Sequence, residues 1–401
     1  MGRKRANIIM NETAMRKIKV MSIFGTRPEA IKMMPLLLAL SQHTEIESLV
    51  CLTAQHRELL DCVMNLFGLC AQHDLDIMQP NQTLTAITAK ALAGLGQVLE
   101  EARPDIVLVH GDTTTTLSAA LSAFYAKIPV GHVEAGLRSG DNYSPFPEEM
   151  NRKLVSQIAT LHFAPTTQNA QHLQREGITA GVFVTGNTVI DAIKGTANRF
   201  SGTFGNALDE IDWAARRVIT LTCHRRENYG KPMTEIFTAV KKLVERHPDI
   251  EVAYPMHPNP VVREAAQSIL GSVARVHLIE PLDTVEMHAL IAQSYMIMTD
   301  SGGLQEEAPS FGKPVLVLRR ETERPEAVEA GTARLAGVQQ TEILKQAELL
   351  LTNPVAYAAM ANAVNPYGDG KAASRIVDAI LWHFGHKAER PSHFQPFIFR
   401  R

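Results

Sequence analysis

Between Ile18 and Gly337 short apolar runs alternate with segments of helical spacing, and few architectures tolerate that order. IKVMSIF (18–24), SLVCLTA (48–54), DIVLVHG (105–111), PVGHVEA (129–135), LHFAP (161–165) and VFVTG (182–186) predict strands. Between them, AIKMMPLLLALSQ and TTTLSAALSAFYA carry the spacing of helices packed on a sheet. Strand, helix, strand in succession predicts a parallel sheet with right-handed crossovers. The pattern breaks at 194–215, a stretch rich in Gly, Ser, Thr and Asn that reads as a connection. It then resumes with RVITLTC (217–223), IEVAYPM (250–256), RVHLIEP (275–281), YMIMTD (295–300), PVLVL (314–318) and ARLAG (333–337). The expected fold class is α/β: two Rossmann-like domains, 17–193 and 216–375, with a cleft between them. A loose N-terminal extension (1–16) precedes them. A C-terminal segment (376–401) follows, expected to pack back on the first domain.

With 401 residues, 45% of them hydrophobic, the chain can bury two cores. A net charge of −2 without a basic run argues against nucleic acid as a partner. The N-terminal MGRKRANIIMNETAMRK has too short an apolar patch for a leader, and no stretch approaches the ~18 apolar residues of a membrane span. No membrane partner and a cytoplasmic location are therefore expected. Cys51, Cys62, Cys70 and Cys223 lack CxxC spacing, and no HExxH pattern joins any of the 15 histidines, so no metal site is expected.

In doubly wound sheets ligands sit outside the carboxyl ends of strands. Polar residues gather at those ends here. FGTRPEAIK turns at Gly25 and either offers Arg27 and Lys32 to an anion or merely caps a helix. Asp112 follows an apolar strand, as a site residue or a simple N-cap. Glu134 ends another strand. Beyond Pro145 and Pro147, Glu148 and Arg152 stand at i,i+4, a spacing that serves a surface salt bridge as readily as an active-site helix. His224 ends a strand of the second half and can serve as acid, base or phosphate donor. In TDSGGLQEEAPSFGKPVLVL (299–318) the amides of Ser301, Gly302 and Gly303 suit a pyrophosphate. Glu307, one turn along, suits ribose hydroxyls, and Arg324 can close over a nucleotide.

Together these segments resemble the non-hydrolysing UDP-N-acetylglucosamine 2-epimerase family from Lys17 to about Leu381. GTRPEAIKMMPL, HGDTTTTL, HVEAGLRS, PFPEEMNR, HRREN, DSGGLQEEAPSFGKPVLVLR, TERPEAVEAGT and NPYGDGKA occur in family order. The resemblance implies the two-Rossmann, GT-B-like architecture, a homodimer, a UDP-sugar substrate and no cofactor. It implies reversible C2 epimerisation of UDP-N-acetylglucosamine to UDP-N-acetylmannosamine, supplying N-acetylmannosamine units for cell-surface polysaccharide synthesis. The implied route is anti elimination of UDP and its readdition through 2-acetamidoglucal. It assigns Arg27, Lys32, His224, Met287, Ser301, Gly302, Gly303, Glu307 and Arg324 to UDP, and Asp112, Glu134, Glu148, Arg152 and His224 to catalysis. The chemistry suits such a set. A hydrogen at C2 is barely acidic, so several carboxylates and a cation must surround the sugar. Crowded carboxylates separate their pKa values, so that one keeps a proton while another accepts one.

Two positions depart from the family pattern. Met287 stands where several members place an aromatic residue against the uracil, and a thioether can still cover a base. Glu58 and Asn81 replace a glutamine and an arginine of the regulatory pocket of many bacterial members. A carboxylate gained and a cation lost disfavour a second diphosphate there, so activity without an activating UDP-N-acetylglucosamine is expected. Three rival readings remain. A hydrolysing 2-epimerase fits poorly with the complete GTRPEA signature, and a GT-B glycosyltransferase leaves Asp112, Glu134 and Glu148 without a shared purpose. A non-catalytic UDP-sugar sensor would not need those carboxylates at all. The terminal HKAERPSHFQPFIFRR lies outside the resemblance.

Overall fold

The computed structural model describes residues 16–53, 64, 68–77 and 82–396. Glu58 and Asn81, and with them the regulatory-pocket expectation, lie outside the described residues, as does most of the N-terminal extension. The first half contains strands β1 (Ile18–Phe24), β2 (Ile46–Leu52), β3 (His73–Asp74), β4 (Ile106–His110), β5 (Val130–Val133), β6 (Leu161–Ala164) and β7 (Val182–Val184). Around them lie helices α1 (Arg27–Ser41), α2 (Leu84–Ala102), α3 (Thr114–Tyr125), α4 (Glu148–Ile158), α5 (Thr167–Arg175) and α6 (Thr188–Ala197). The second half has strands β8 (Arg217–Thr222), β9 (Ile250–Pro255), β10 (Val276–Ile279), β11 (Met296–Thr299), β12 (Val315–Val317) and β13 (Ala333–Leu335). Its helices are α7 (Lys231–Arg246), α8 (Pro260–Leu270), α9 (Thr284–Gln293), α10 (Gly302–Glu307), α11 (Pro325–Glu329), α12 (Gln340–Thr352) and α13 (Pro354–Ala361). A last helix, α14 (Ala372–His383), follows.

All strands pair in parallel, in the orders β3-β2-β1-β4-β5-β6-β7 and β10-β9-β8-β11-β12-β13. Each half thus repeats the Rossmann order, in which the winding reverses between the first and fourth strands. Those reversals lie between β1 and β4 and between β8 and β11. The loops that leave these four strands carry Gly25–Arg27, Asp112, His224 and Asp300–Gly303, which puts most of the chemistry at the two crevices.

Burial on both faces explains the near-continuous apolar strands. One face of the first sheet packs Met33, Leu36 and Leu37 of α1 against Ile376 and Ile380 of α14. The other face packs Leu95 and Leu99 of α2 against Ala119 and Ala123 of α3. The second sheet buries Phe237 and Leu243 of α7 with Leu350 of α12. Helix α14 therefore returns from the second half to the core of the first. Beyond it Phe394 donates its amide to Val184 O (2.7 Å) at β7. Helix α6 runs through position 194, so regular structure extends into the stretch read as a connection. Strand β3, two residues long, is too short to show any period and was not expected.

Candidate active site

The start of α1 is fixed by packing. A Cβ at Gly25 would collide with the Thr53 hydroxyl and lie 2.8 Å from that of Thr115, so only glycine fits where these strand ends converge. Buried Glu29 accepts the amides of Gly25 (3.1 Å) and Thr26 (2.8 Å), and the hydroxyls of Thr113 (2.8 Å) and Thr116 (3.2 Å). It locks the starts of α1 and α3 together. Burial raises the Glu29 carboxyl despite those hydrogen bonds.

One turn along α1, the Lys32 ammonium stands 2.5 Å from Glu134 Oε2, and His110 Nε2 lies 3.6 Å from the same oxygen. Glu134 has a φ of 63°, a left-handed conformation uncommon for a residue with a Cβ and typical of sites that hold strain for function. Burial works to raise this carboxyl, but Lys32 and then His110 outweigh it and hold it at about 2. Lys32 is itself held above its ordinary value: burial opposes its charge, while Glu134 and Glu306 favour it. Burial pushes the His110 imidazole down to about 4, so at neutral pH it is uncharged.

Asp112 is not the cap of α3, because Thr113 accepts the Thr116 amide (3.1 Å). Its carboxylate instead takes Arg152 Nη1 at 2.8 Å. Arg152 also reaches buried Glu149 at 3.2 Å, while Glu149 accepts the amides of Ser139 (3.0 Å) and Gly140 (3.3 Å). The i,i+4 pairing of Glu148 with Arg152 is thereby corrected: Arg152 is buried and spends its guanidinium on Asp112 and Glu149. Glu148 Oε2 is left buried without a hydrogen-bond partner. Burial raises the Asp112 carboxyl; Arg152 opposes this, and Glu134 and Glu148 reinforce it. Asp112, Glu134 and Glu148 thus form one interacting acidic group.

In the second half, fully buried Asp300 organises the turn after β8. Its Oδ2 accepts the amides of His224 and Arg225 (2.8 Å each) and Asn228 Nδ2 (3.0 Å), while Oδ1 lies 3.3 Å from His224 Nδ1. The His224 ring stacks on His257 with centroids 5.3 Å apart. Burial lowers the His224 pKa against the pull of Asp300.

The glycine pair needs one correction. The Ser301 amide already donates to Thr299 Oγ1 (2.9 Å), so the donors at the start of α10 are those of Gly302 and Gly303. A Cβ on Gly302 would sit 3.8 Å from both Arg225 Nη2 and Arg324 Cζ, so two guanidinium groups flank this glycine. The paired glutamates divide their tasks. Buried Glu306 accepts Arg324 Nε on one oxygen and Asn187 Nδ2 (2.8 Å) on the other. Glu307 Oε2 lies 3.6 Å from His288 Nε2, whose other nitrogen meets the Thr196 hydroxyl.

A cavity of about 220 Å³ joins the halves. Arg27, Lys32 and Val189 line it from one side, Met287, His288 and Glu307 from the other. Sequence reasoning missed Glu149, Asp300, Glu306, Arg225, His110 and His288. Glu149, Arg225 and Glu306 stand beside residues it had chosen, but only burial shows which member of each pair is engaged.

The family described as UDP-N-acetylglucosamine 2-epimerase matches residues 38–381. The UDP-N-acetylglucosamine 2-epimerase of Bacillus subtilis is 53% identical over 381 residues, 95% of this chain and 99% of the relative. A crystal structure of UDP-N-acetylglucosamine 2-epimerase shares 52% identity at a TM-score of 0.88, covering 95% of this chain and 100% of the other. The UDP-GlcNAc 2-epimerase from Neisseria meningitidis, solved with UDP-GlcNAc bound, shares 49% identity at a TM-score of 0.82 over 91% of this chain and all of that one. With the fold, the strand-end motifs and these likenesses in agreement, the chain belongs to the UDP-N-acetylglucosamine 2-epimerase family.

Proposed function

We propose that the protein interconverts UDP-N-acetylglucosamine and UDP-N-acetylmannosamine without releasing UDP between the two half-reactions, and so supplies N-acetylmannosamine units for cell-surface polysaccharides. The observation that carries this reading is the cavity between the halves. Arg27 and Lys32 there face Met287 and Glu307, next to the acidic group of Asp112, Glu134 and Glu148. Its chemistry suits a nucleoside diphosphate sugar. Arg27, Lys32, Arg324 and the amides of Gly302 and Gly303 serve the diphosphate. Glu307 serves the ribose hydroxyls, Met287 covers the base, and the sugar meets the carboxylates. A cytoplasmic homodimer belongs to the same proposal; no helix among the described residues is long and apolar enough to cross a membrane.

The carboxylates support elimination and readdition because their environments differ. Glu134, held down by Lys32, is ionised and can accept the C2 proton; Asp112, raised by burial, keeps a proton more readily. As the C2–H bond breaks, its electrons form the C1=C2 bond and the C1–O bond leaves with UDP. Readdition reverses this, with the proton delivered to the opposite face. His224, with Nδ1 beside Asp300, keeps Nε2 available to serve the departing diphosphate.

Proton NMR of UDP-N-acetylglucosamine with the enzyme in D2O tests the reading. Deuterium at C2 in a mixture of gluco and manno UDP-sugars is expected. Accumulating free N-acetylmannosamine would select the hydrolysing reading instead, and unchanged substrate would reject catalysis of this kind.

A further inference from the structure

Contacts between the halves converge on one buried carboxylate, Glu306. The Asn187 side chain starts α6, its Oδ1 accepting the Val189 amide at 3.1 Å. Capping fixes which way the amide points, so Nδ2 must face Glu306, which it meets at 2.8 Å. The Asn187 backbone N–H also donates to Tyr367 O (2.6 Å), and Asn365 Nδ2 donates to the Glu306 carbonyl (2.8 Å). The other Glu306 oxygen takes Arg324 Nε. Two residues beyond Arg324, Glu326 Oε1 accepts the hydroxyl of Thr166, again from the first half (3.1 Å). One bond between the halves thus stands behind the carboxylate that holds Arg324, and a second lies two residues along its chain. Its Nη2 lies 3.9 Å from where a Gly302 Cβ would be, over the glycine pair.

We propose that Glu306 is a positioning residue that couples apposition of the two halves to the presentation of Arg324, with Asn187 as its sensor in the first half. This rests on the reading of the cavity as a diphosphate site. Bound to Nε, the carboxylate fixes the plane of the guanidinium so that its remaining edge meets the ligand. Separation of the halves removes the Asn187 bond and lets the buried carboxylate turn, carrying the arginine away. Diphosphate affinity is then set partly by a hydrogen bond that touches no ligand.

An exchange of donor and acceptor tests this. Asn187→Asp keeps the helix cap but sets a carboxylate against Glu306, and Glu306→Gln keeps an acceptor for Arg324 but sets an amide NH2 against Asn187. In the double variant the amide introduced at position 306 can accept from Arg324 and donate to the carboxylate introduced at position 187, restoring both bonds. Calorimetry with UDP and with inorganic pyrophosphate should show each single variant weakened by about tenfold for both ligands, the loss of one charge-assisted hydrogen bond. The double variant should return to within about threefold of wild type. Should a single variant melt before binding is measured, the double still decides. A double variant that binds no better than the single ones, or single variants that bind normally, would overturn the proposal. Wild-type protein that fails to bind UDP would overturn the diphosphate reading instead.

Discussion

Lys32 shows how much one side chain can be asked to do. Its ammonium neutralises Glu134 in the first half and feels Glu306 in the second, which keeps it charged although it is buried. Replacing it exposes what it does for Glu134. The carboxyl, at about 2 in the folded chain against an ordinary 4.5, contributes stability that is complete above pH 4.5 and is lost as pH falls through 2. In Lys32→Met the largest offset to burial is gone, leaving His110 and Arg324 to oppose it, so the carboxyl rises and that contribution shrinks. The thermal midpoint of Lys32→Met should lie below wild type at pH 7, with the gap narrowing as pH falls below 4.5. A gap that stays constant with pH would mean that Lys32 acts through packing alone. At this scale the sequence singled out Lys32, Asp112, Glu134 and Arg152, and the structure joins them in two ion pairs, Lys32 with Glu134 and Arg152 with Asp112. Their partners were not legible. Arg152 takes Asp112 and Glu149 because the loop after β4 folds over α4, and i,i+4 spacing carries no information about such a contact.

Among the elements, α1 carries Arg27 and Lys32 to the cavity, and its entry point sets where both fall. Gly25 sits in a space that admits no Cβ, whereas a Cβ on Gly96 in α2 would meet nothing within 4 Å. Opposite outcomes follow from the same chemical change. Gly25→Ala must push α1 away from the Thr53–Thr115 pair, at a cost of about 1–3 kcal/mol, and should weaken UDP binding as Lys32 shifts. Gly96→Ala fills helix interior with a better helix former and should stabilise by about 0.5–1 kcal/mol, leaving binding unchanged. Thermal melting and calorimetry on the two variants check this, and equal effects would show that the strand-end packing is soft. Element types were readable because burial on both faces leaves continuous apolar runs; the caps at Thr26 with Glu29 and at Asn187 carry the same signal at two helix starts, where it was not read. Element ends were less so. Except in β1, the strands stop one or two residues before the apolar runs do, where residues such as Gly111 and Glu134 turn the chain at positive φ.

Across the whole molecule, the last helix and the segment after it tie the end of the chain back to the first half. Strand β7 is the edge of the first sheet, and an edge offers unpaired backbone groups. Residues beyond α14 cover it. Phe394, 4% exposed, donates its amide to Val184 O. Arg390 donates to Val182 O at 2.8 Å and lies 4.7 Å above the Phe183 ring, which packs edge-on against Trp382 of α14. Arg375 of α14 in turn stands 5.4 Å from the Phe394 ring. This arrangement accounts for a segment that motif likeness left unexplained, since its contacts are with an edge and not with the cavity. Removing residues 388–401 gives up a buried phenylalanine, worth about 1.5–3 kcal/mol, and the cation–π contacts of Arg390 with Phe183 and of Arg375 with Phe394, about 0.5–1 kcal/mol each. A fall of roughly 3–6 °C in the thermal midpoint should follow for a chain of this length. UDP affinity should not change, because none of the described residues among them, 388–396, lines the cavity. The uncovered β7 should also pair with other chains, read as a concentration-dependent rise in light scattering that wild type does not show. An unchanged midpoint would mean that the segment merely lies along the sheet. Weakened UDP binding with the midpoint preserved would instead tie the chain end to the arrangement of the two halves.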